Sequence, residues 1–150
     1  MLILIGNLLS GHNLNPTAIE DLSDSLVQKY PLKTASNKNN PFLRLLDMLL
    51  IVFRNRYNCK LIIIDVFSTN AFLFSVFTIL LARLYKINYM PVFRGGSLIE
   101  RYNNNPKIFN FLFKNNQIII CPSGYLANFF IKLKYNVQVI PNYIDIKKYN

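Results

Sequence analysis

The sequence predicts an α/β domain, a parallel sheet flanked by helices, on three observations. Short apolar runs recur at 2–5, 60–66, 89–93, 118–121 and 137–140, and such uniform apolarity marks strands covered on both faces. Between the runs lie segments whose apolar residues repeat at helical spacing. The chain has 150 residues, enough for one domain with a proper core and too few for two of ordinary size.

Leu2 to Ile5 reads as the first strand and breaks at Gly6. The loop GNLLSGHNLNP follows, and Asn15 with Pro16 makes a helix start, asparagine as N-cap and proline at the first helical position. Glu20 and Asp21 complement the helix dipole. Ile19, Leu22 and Leu26 face inward, and the helix ends near Pro31. A strand, a glycine-containing loop and a helix N-terminus suit anion binding. Gly6 and Gly11 do not make the G-x-G-x-x-G fingerprint, so on the residues alone an ordinary βα turn is the plainer reading. His12, the only histidine, sits in this loop and could equally make a surface contact.

Leu32 to Ser36 is a short second strand, and NKNNP is the loop after it. From Phe42, the residues Leu45, Leu46, Leu49 and Phe53 form one helical face, with Arg44, Asp47, Arg54 and Arg56 mostly off it. Such a basic amphipathic helix can lie on anionic lipid, although its apolar side is more often core. The next strand, 60–66, carries Asp65 near its C-terminal end, the edge that faces the ligand crevice in open α/β sheets. The reading favoured for Asp65 is a bond to loop amides around Ser68 and Thr69. Asn70 caps a helix running to about Lys86, apolar nearly all round, which calls for cover by a neighbouring helix, a lipid surface or a partner chain.

Tyr89 to Phe93 is a strand that runs into a loop of Arg94, Gly95, Gly96 and Ser97. The glycines let a ligand approach the backbone, and the arginine is placed to grip a phosphate or carboxylate. The plainer alternative is a glycine turn with a surface arginine. Asn105 and Pro106 begin another capped helix, with Ile108, Phe109 and Leu112 inward.

The segment 117–145, QIIICPSGYLANFFIKLKYNVQVIPNYID, has the sharpest ends. A strand at 118–121 is stopped by Pro122. Ser123 is placed to cap a helix whose Leu126, Phe129, Phe130 and Leu133 share one face. Val137, Val139 and Ile140 form the last strand, and Pro141 ends it for want of an N–H. The unit is βαβ, with a right-handed crossover.

At these residues a resemblance becomes specific. Pro-Ser followed by Tyr-Leu and an aromatic helix, then Val-Ile-Pro-Asn-Tyr-Ile-Asp, resembles the end of the N-terminal domain in the family-4 (group 1) glycosyltransferases of GT-B fold. The likeness covers nearly the whole chain, and its best motifs are Arg94 to Gly96, Pro122 to Leu126 and Val139 to Asp145. It implies a single Rossmann-like domain over 1–150, with 142–150 starting a linker to a donor-binding domain that this sequence does not contain. It also implies the acceptor-side half of a retaining enzyme that moves a sugar from a nucleotide-sugar donor to a glycan or lipid-linked acceptor, in polysaccharide or cell-envelope synthesis. No metal or cofactor is expected, and no catalytic residue is assigned. The residues implied in donor or acceptor binding are Gly6, Gly11, His12, Arg94, Gly95, Gly96, Ser123 and Asn142. Many members of the family carry a histidine before the Gly-Gly pair; Arg94 stands there instead, suited to hold acceptor phosphate. A separate chain supplying the donor domain is an expected partner, and a non-catalytic membrane- or protein-binding module is the alternative.

Composition bounds the partners. The net charge is +10, which fits an anionic membrane surface, nucleic acid, or a basic chain kept soluble by its charge. Nucleic acid is set aside, because no basic-aromatic run is present and the aromatics fall at core spacings. Cys59 and Cys121 belong to no C-x-x-C motif and read as buried thiols. Residues 1–9 lack a basic n-region, so the expectation is a cytoplasmic protein, peripheral at the inner face of a membrane. The longest apolar run, 71–82, is shorter than the roughly 20 residues of a spanning helix.

Overall fold

A computed structural model describes residues 1–8, 10, 17–114 and 118–142. Among these residues it contains six strands: β1 (Leu2–Ile5), β2 (Leu32–Ala35), β3 (Leu61–Phe67), β4 (Asn88–Arg94), β5 (Ile119–Cys121) and β6 (Val137–Val139). Six helices connect them: α1 (Ala18–Leu26), α2 (Pro41–Asn55), α3 (Phe72–Leu84), α4 (Leu98–Asn104), α5 (Pro106–Phe113) and α6 (Gly124–Lys132). All strand pairs are parallel, in the order β2-β1-β3-β4-β5-β6. The chain is therefore the α/β, Rossmann-like sheet that its alternating pattern predicts.

Strand side chains alternate between two cores. On one side Ile3, Ile62, Ile64, Phe93 and Cys121 pack against α2 to α6; on the other Leu4, Ile63, Val92 and Ile120 meet α1 through Ile19. The first core is aromatic at its centre. Phe93 lies 5.1 Å from the Phe113 ring and 4.9 Å from Phe130, both edge-on, and Phe109 stacks on Phe130 at 5.4 Å. The two edge-on pairs set the positive edge of one ring against the face of another.

Local chemistry sets the helix starts. Asn105 accepts from Ile108 N at 3.4 Å, and Ser123 accepts from Leu126 N at 3.4 Å, as their positions predict. The α1 start differs from expectation, with Thr17 as N-cap rather than Asn15, which lies outside the described residues. The Glu20 carboxylate accepts from the Thr17 amide at 2.6 Å and from the Ser10 hydroxyl at 2.7 Å. Burial alone would raise the Glu20 pKa, but these hydrogen bonds hold it below the usual value. Nor does Asn70 cap α3: the N-cap residue is Ala71, without a side-chain cap. α2 gains a cap that the pattern did not predict, Asn40 accepting from Phe42 N at 2.9 Å.

The inward faces also shift. On α2 the buried residues are Met48 and Val52, whereas Leu46 and Phe53 are exposed. Ile108 of α5 points outward, and Phe113 takes the buried place. α4 has no counterpart in the pattern; Leu98, fully buried, ties it to the core.

Phe93→Ala should remove the ring that joins β4 to α5 and α6 and cost about 3–5 kcal/mol. Urea unfolding followed by circular dichroism measures this, and a midpoint equal to that of the wild type would contradict the assignment of the core.

Candidate functional site

Parallel sheets with helices on both faces open a crevice at the strand C-termini, where neighbouring connections leave in opposite directions. Here that point lies between β1, which leads to α1, and β3, which leads to α3 on the other face. Gly6 follows β1, Asp65 lies within β3, and Arg94 closes β4.

Asp65 and Arg94 form a salt bridge, Nε to Oδ1 at 2.9 Å, with side chains 3% and 13% exposed. Arg94 also donates from Nη1 to Oδ1 of Asn142. Asp65 thus binds the arginine of the next strand and not the loop amides near Ser68 and Thr69. The carbonyls of those two residues instead accept from Arg101, at 2.8 and 3.2 Å. Arg94 itself ends a strand and is not a loop residue.

Burial raises the pKa of Asp65 to about 6, and the nearby Arg94 guanidinium limits that rise. Because the folded-state value lies above the ordinary one of 3.8, this group favours folding most below the ordinary value. Its contribution is lost as pH rises through about 6.

The expected site residues divide. Gly6 and Arg94 meet at Asp65, and Asn142 joins them through Arg94. A Cβ on Gly6 would lie 2.7 Å from Ile19 Cδ1 and 3.2 Å from Asp65 Oδ2. The Gly6 amide donates to Ala35 O and its carbonyl accepts from Ser36 N, both at 2.8 Å. Its lack of a side chain thus serves the close approach of α1 and Asp65, and its backbone is held by the end of β2. Gly95 has φ +94°, a conformation that favours glycine, and no atom lies within 4 Å of a Cβ there. Gly96 is in ordinary contact range of Tyr125. The hydroxyl of Ser123 is engaged as the cap of α6. Gly11 and His12 lie outside the described residues.

Beside Arg94 and Asn142 opens an apolar cavity of about 280 Å³. Leu22 and Leu26 of α1 form one wall, Ile140 and Pro141 the other, and Met90, Val92 and Ile120 are among the floor residues. The cavity exists because α1 is the only described helix on this side of the sheet. Helical spacing had marked Leu22 and Leu26 as inward, but the sheet order that leaves them beside an open groove is not visible in spacing. A ligand with an apolar body and an anionic end would fit the arrangement, its body against the groove and its charge at Arg94.

Other features carry no such chemistry. Burial pushes up the thiols of Cys59 and Cys121, the latter to about 12, which keeps both protonated. Among the described residues no group of three or more His, Cys, Asp or Glu side chains could hold a metal ion. No helix there is long and apolar enough to cross a membrane. No family model, curated protein or solved structure matches the chain.

The Asp65 carboxyl should titrate near pH 6 in a carbon-detected NMR experiment. In Arg94→Gln, with the neighbouring cation gone, its midpoint should move higher. A midpoint that stays or falls would mean that the ion pair does not govern this carboxylate.

Proposed function

We propose that this chain is the acceptor-side domain of a family-4-like glycosyltransferase, which moves a sugar from a nucleotide-sugar donor to a glycan or lipid-linked acceptor at a membrane surface. One observation carries the reading. An arginine followed by two glycines ends a central strand at the ligand-facing edge, tied to Asp65 and Asn142, with an apolar groove beside it. Arg94 would hold the phosphate of the acceptor, the Gly95–Gly96 turn would admit it, and the groove would take an apolar chain. Catalysis requires transition-state charge on the departing diphosphate to be met by fixed positive groups. A donor-binding domain, on a separate chain or on sequence beyond this one, would supply most of those groups, so the chain alone should turn over little or nothing.

The second reading is a non-catalytic module that binds a membrane or another protein. It is favoured by the exposed, uncharged side of α3, where Leu73, Phe77, Leu80 and Leu84 face solvent.

A soluble short-chain polyprenyl diphosphate serves as the acceptor mimic for the test. Wild type should bind it by calorimetry, and Arg94→Lys, which keeps the charge but loses the planar fork, should weaken binding by about tenfold. Binding should also tighten as pH falls through about 6, because a protonated Asp65 no longer competes for the guanidinium. Equal affinity in the two proteins, or no binding by either, removes the acceptor-side reading.

A further inference from the structure

We infer that a polar depression at the ends of β3 and β4 is a sugar subsite. Resting on the acceptor-side reading, its occupant is the first sugar of an acceptor that arrives already glycosylated. The depression has a volume of about 350 Å³ and is lined by Ser68, Ser97, Glu100, Arg101, Asn104 and Asn105. That is the small end of the range for small-molecule sites. The register of β3 on β4 sets Phe67 opposite Arg94, so Ser68 leaves the sheet at the level where Gly95 does. The apolar groove opens on the α1 side of the sheet, and the depression lies on the α4 side. The end of β4 stands between them. Gly95 and Gly96 put no side chain on that crest, and a Cβ on Gly95 would meet no atom within 4 Å.

The lining is uncommitted. Ser97 stands at the N-cap of α4, but its side chain makes no cap bond. Among the described residues the Ser68 hydroxyl, the Glu100 carboxylate and the Asn104 amide likewise have no hydrogen-bond partner. By contrast, the side chains of Asn40, Asn105 and Ser123 are engaged as helix caps. Arg101 forms a fixed wall. Its Nε donates to Ser68 O at 2.8 Å, its Nη2 to Thr69 O at 3.2 Å, and its guanidinium lies over the Phe72 ring at 4.3 Å. Nη1 remains to donate to a ligand.

The mixture of groups names the ligand. Hydroxyls donate and accept, the carboxylate only accepts, the amide does both, and the guanidinium only donates. A ring bearing several hydroxyls needs both kinds of partner close together, since each of its hydroxyls donates and accepts. Glu100 would repel a phosphate, and Arg101 an ammonium group. A nucleobase would want an open aromatic face, yet no aromatic side chain lines the depression and Arg101 covers the nearby Phe72. A neutral sugar is the best fit. With its apolar chain in the groove and its diphosphate at Arg94, a glycosylated acceptor would pass its sugar over Gly95 and Gly96 into this space.

The test is calorimetry on the full chain with a plain short-chain polyprenyl diphosphate and with the same diphosphate bearing glucose, galactose or N-acetylglucosamine. At least one glycosylated ligand should bind about tenfold tighter than the plain one, through hydrogen bonds to the sugar. Glu100→Ala combined with Asn104→Ala, both exposed positions, should return that ligand to the plain affinity. The same double variant should bind the plain diphosphate as wild type does, whereas Arg94→Lys should weaken both ligands alike. If the plain diphosphate binds and no sugar tightens it, or if the double variant keeps the gain, the subsite is overturned and the acceptor-side reading stands. If the plain diphosphate does not bind, that reading falls, and titration with methyl glycosides of the same sugars, followed by NMR, decides the subsite. Shifts at the Ser97 and Arg101 amides that the double variant lacks would uphold it, and their absence would overturn it.

Discussion

A parallel strand connection turns with one hand, and the strand order then decides where every helix goes. From β1 the chain moves to β2 in one direction along the sheet, and every later step, β2 to β3 and on to β6, runs in the other. With right-handed crossovers throughout, α1 must lie on one face and α2 to α6 on the opposite one. The two cores obey this division. The crowding of the second face gives it the aromatic centre around Phe93. The scarcity on the first leaves Met90, Val92 and Ile120 as the floor of an open groove, and the reversal at β1 creates the crevice in which Gly6 and Asp65 meet.

The ion pair in that crevice bears on stability and, on the proposed reading, on ligand binding, and the two demands pull against each other. Taking a carboxylate and a guanidinium from water is costly, and their attraction repays the cost only with good geometry and further hydrogen bonds. Arg94 meets that demand with the 2.9 Å contact to Asp65 and its bond to Asn142. An arginine so engaged is also held rigid, which reduces what an anionic ligand must order on arrival. The raised pKa of Asp65 would link the two, since its proton decides how much of the arginine's charge is already answered.

The strands and two of the helix caps were legible because their signals are local, whereas Asn70 does not cap and the Asn40 cap was missed. Ile118 to Pro122 reads as a strand with a stop, and Ser123 and Asn105 read as caps, since each is decided within a few residues. The inward faces of α2 and α5 were not legible: helices apolar on several sides contain no record of which side meets the sheet, so Leu46, Phe53 and Ile108 could be placed inward as readily as Met48 and Phe113. The partner of Asp65 was hidden for a different reason. Arg94 is 29 positions away in sequence, and only the register of β3 on β4 brings the two side chains together. α4, seven residues of which four are charged or asparagine (Glu100, Arg101, Asn103 and Asn104), shows little apolar periodicity of its own, and Leu98 is its buried residue.

The two outer strands of the described sheet leave it unequal borders. β2 shows Lys33 at its exposed centre, with the ammonium bonded to Asn55 at 2.8 Å, and a charge on an edge discourages another strand from adding there. β6 has no charged residue: Val137, Gln138 and Val139 form its length, and Val139 and Ile140 remain exposed. That border is guarded by brevity, three residues closed by Pro141, which lacks the N–H to extend a ladder. Among the described residues β6 is therefore the border with the weaker guard, and Pro141 would confine any strand added there to a short overlap.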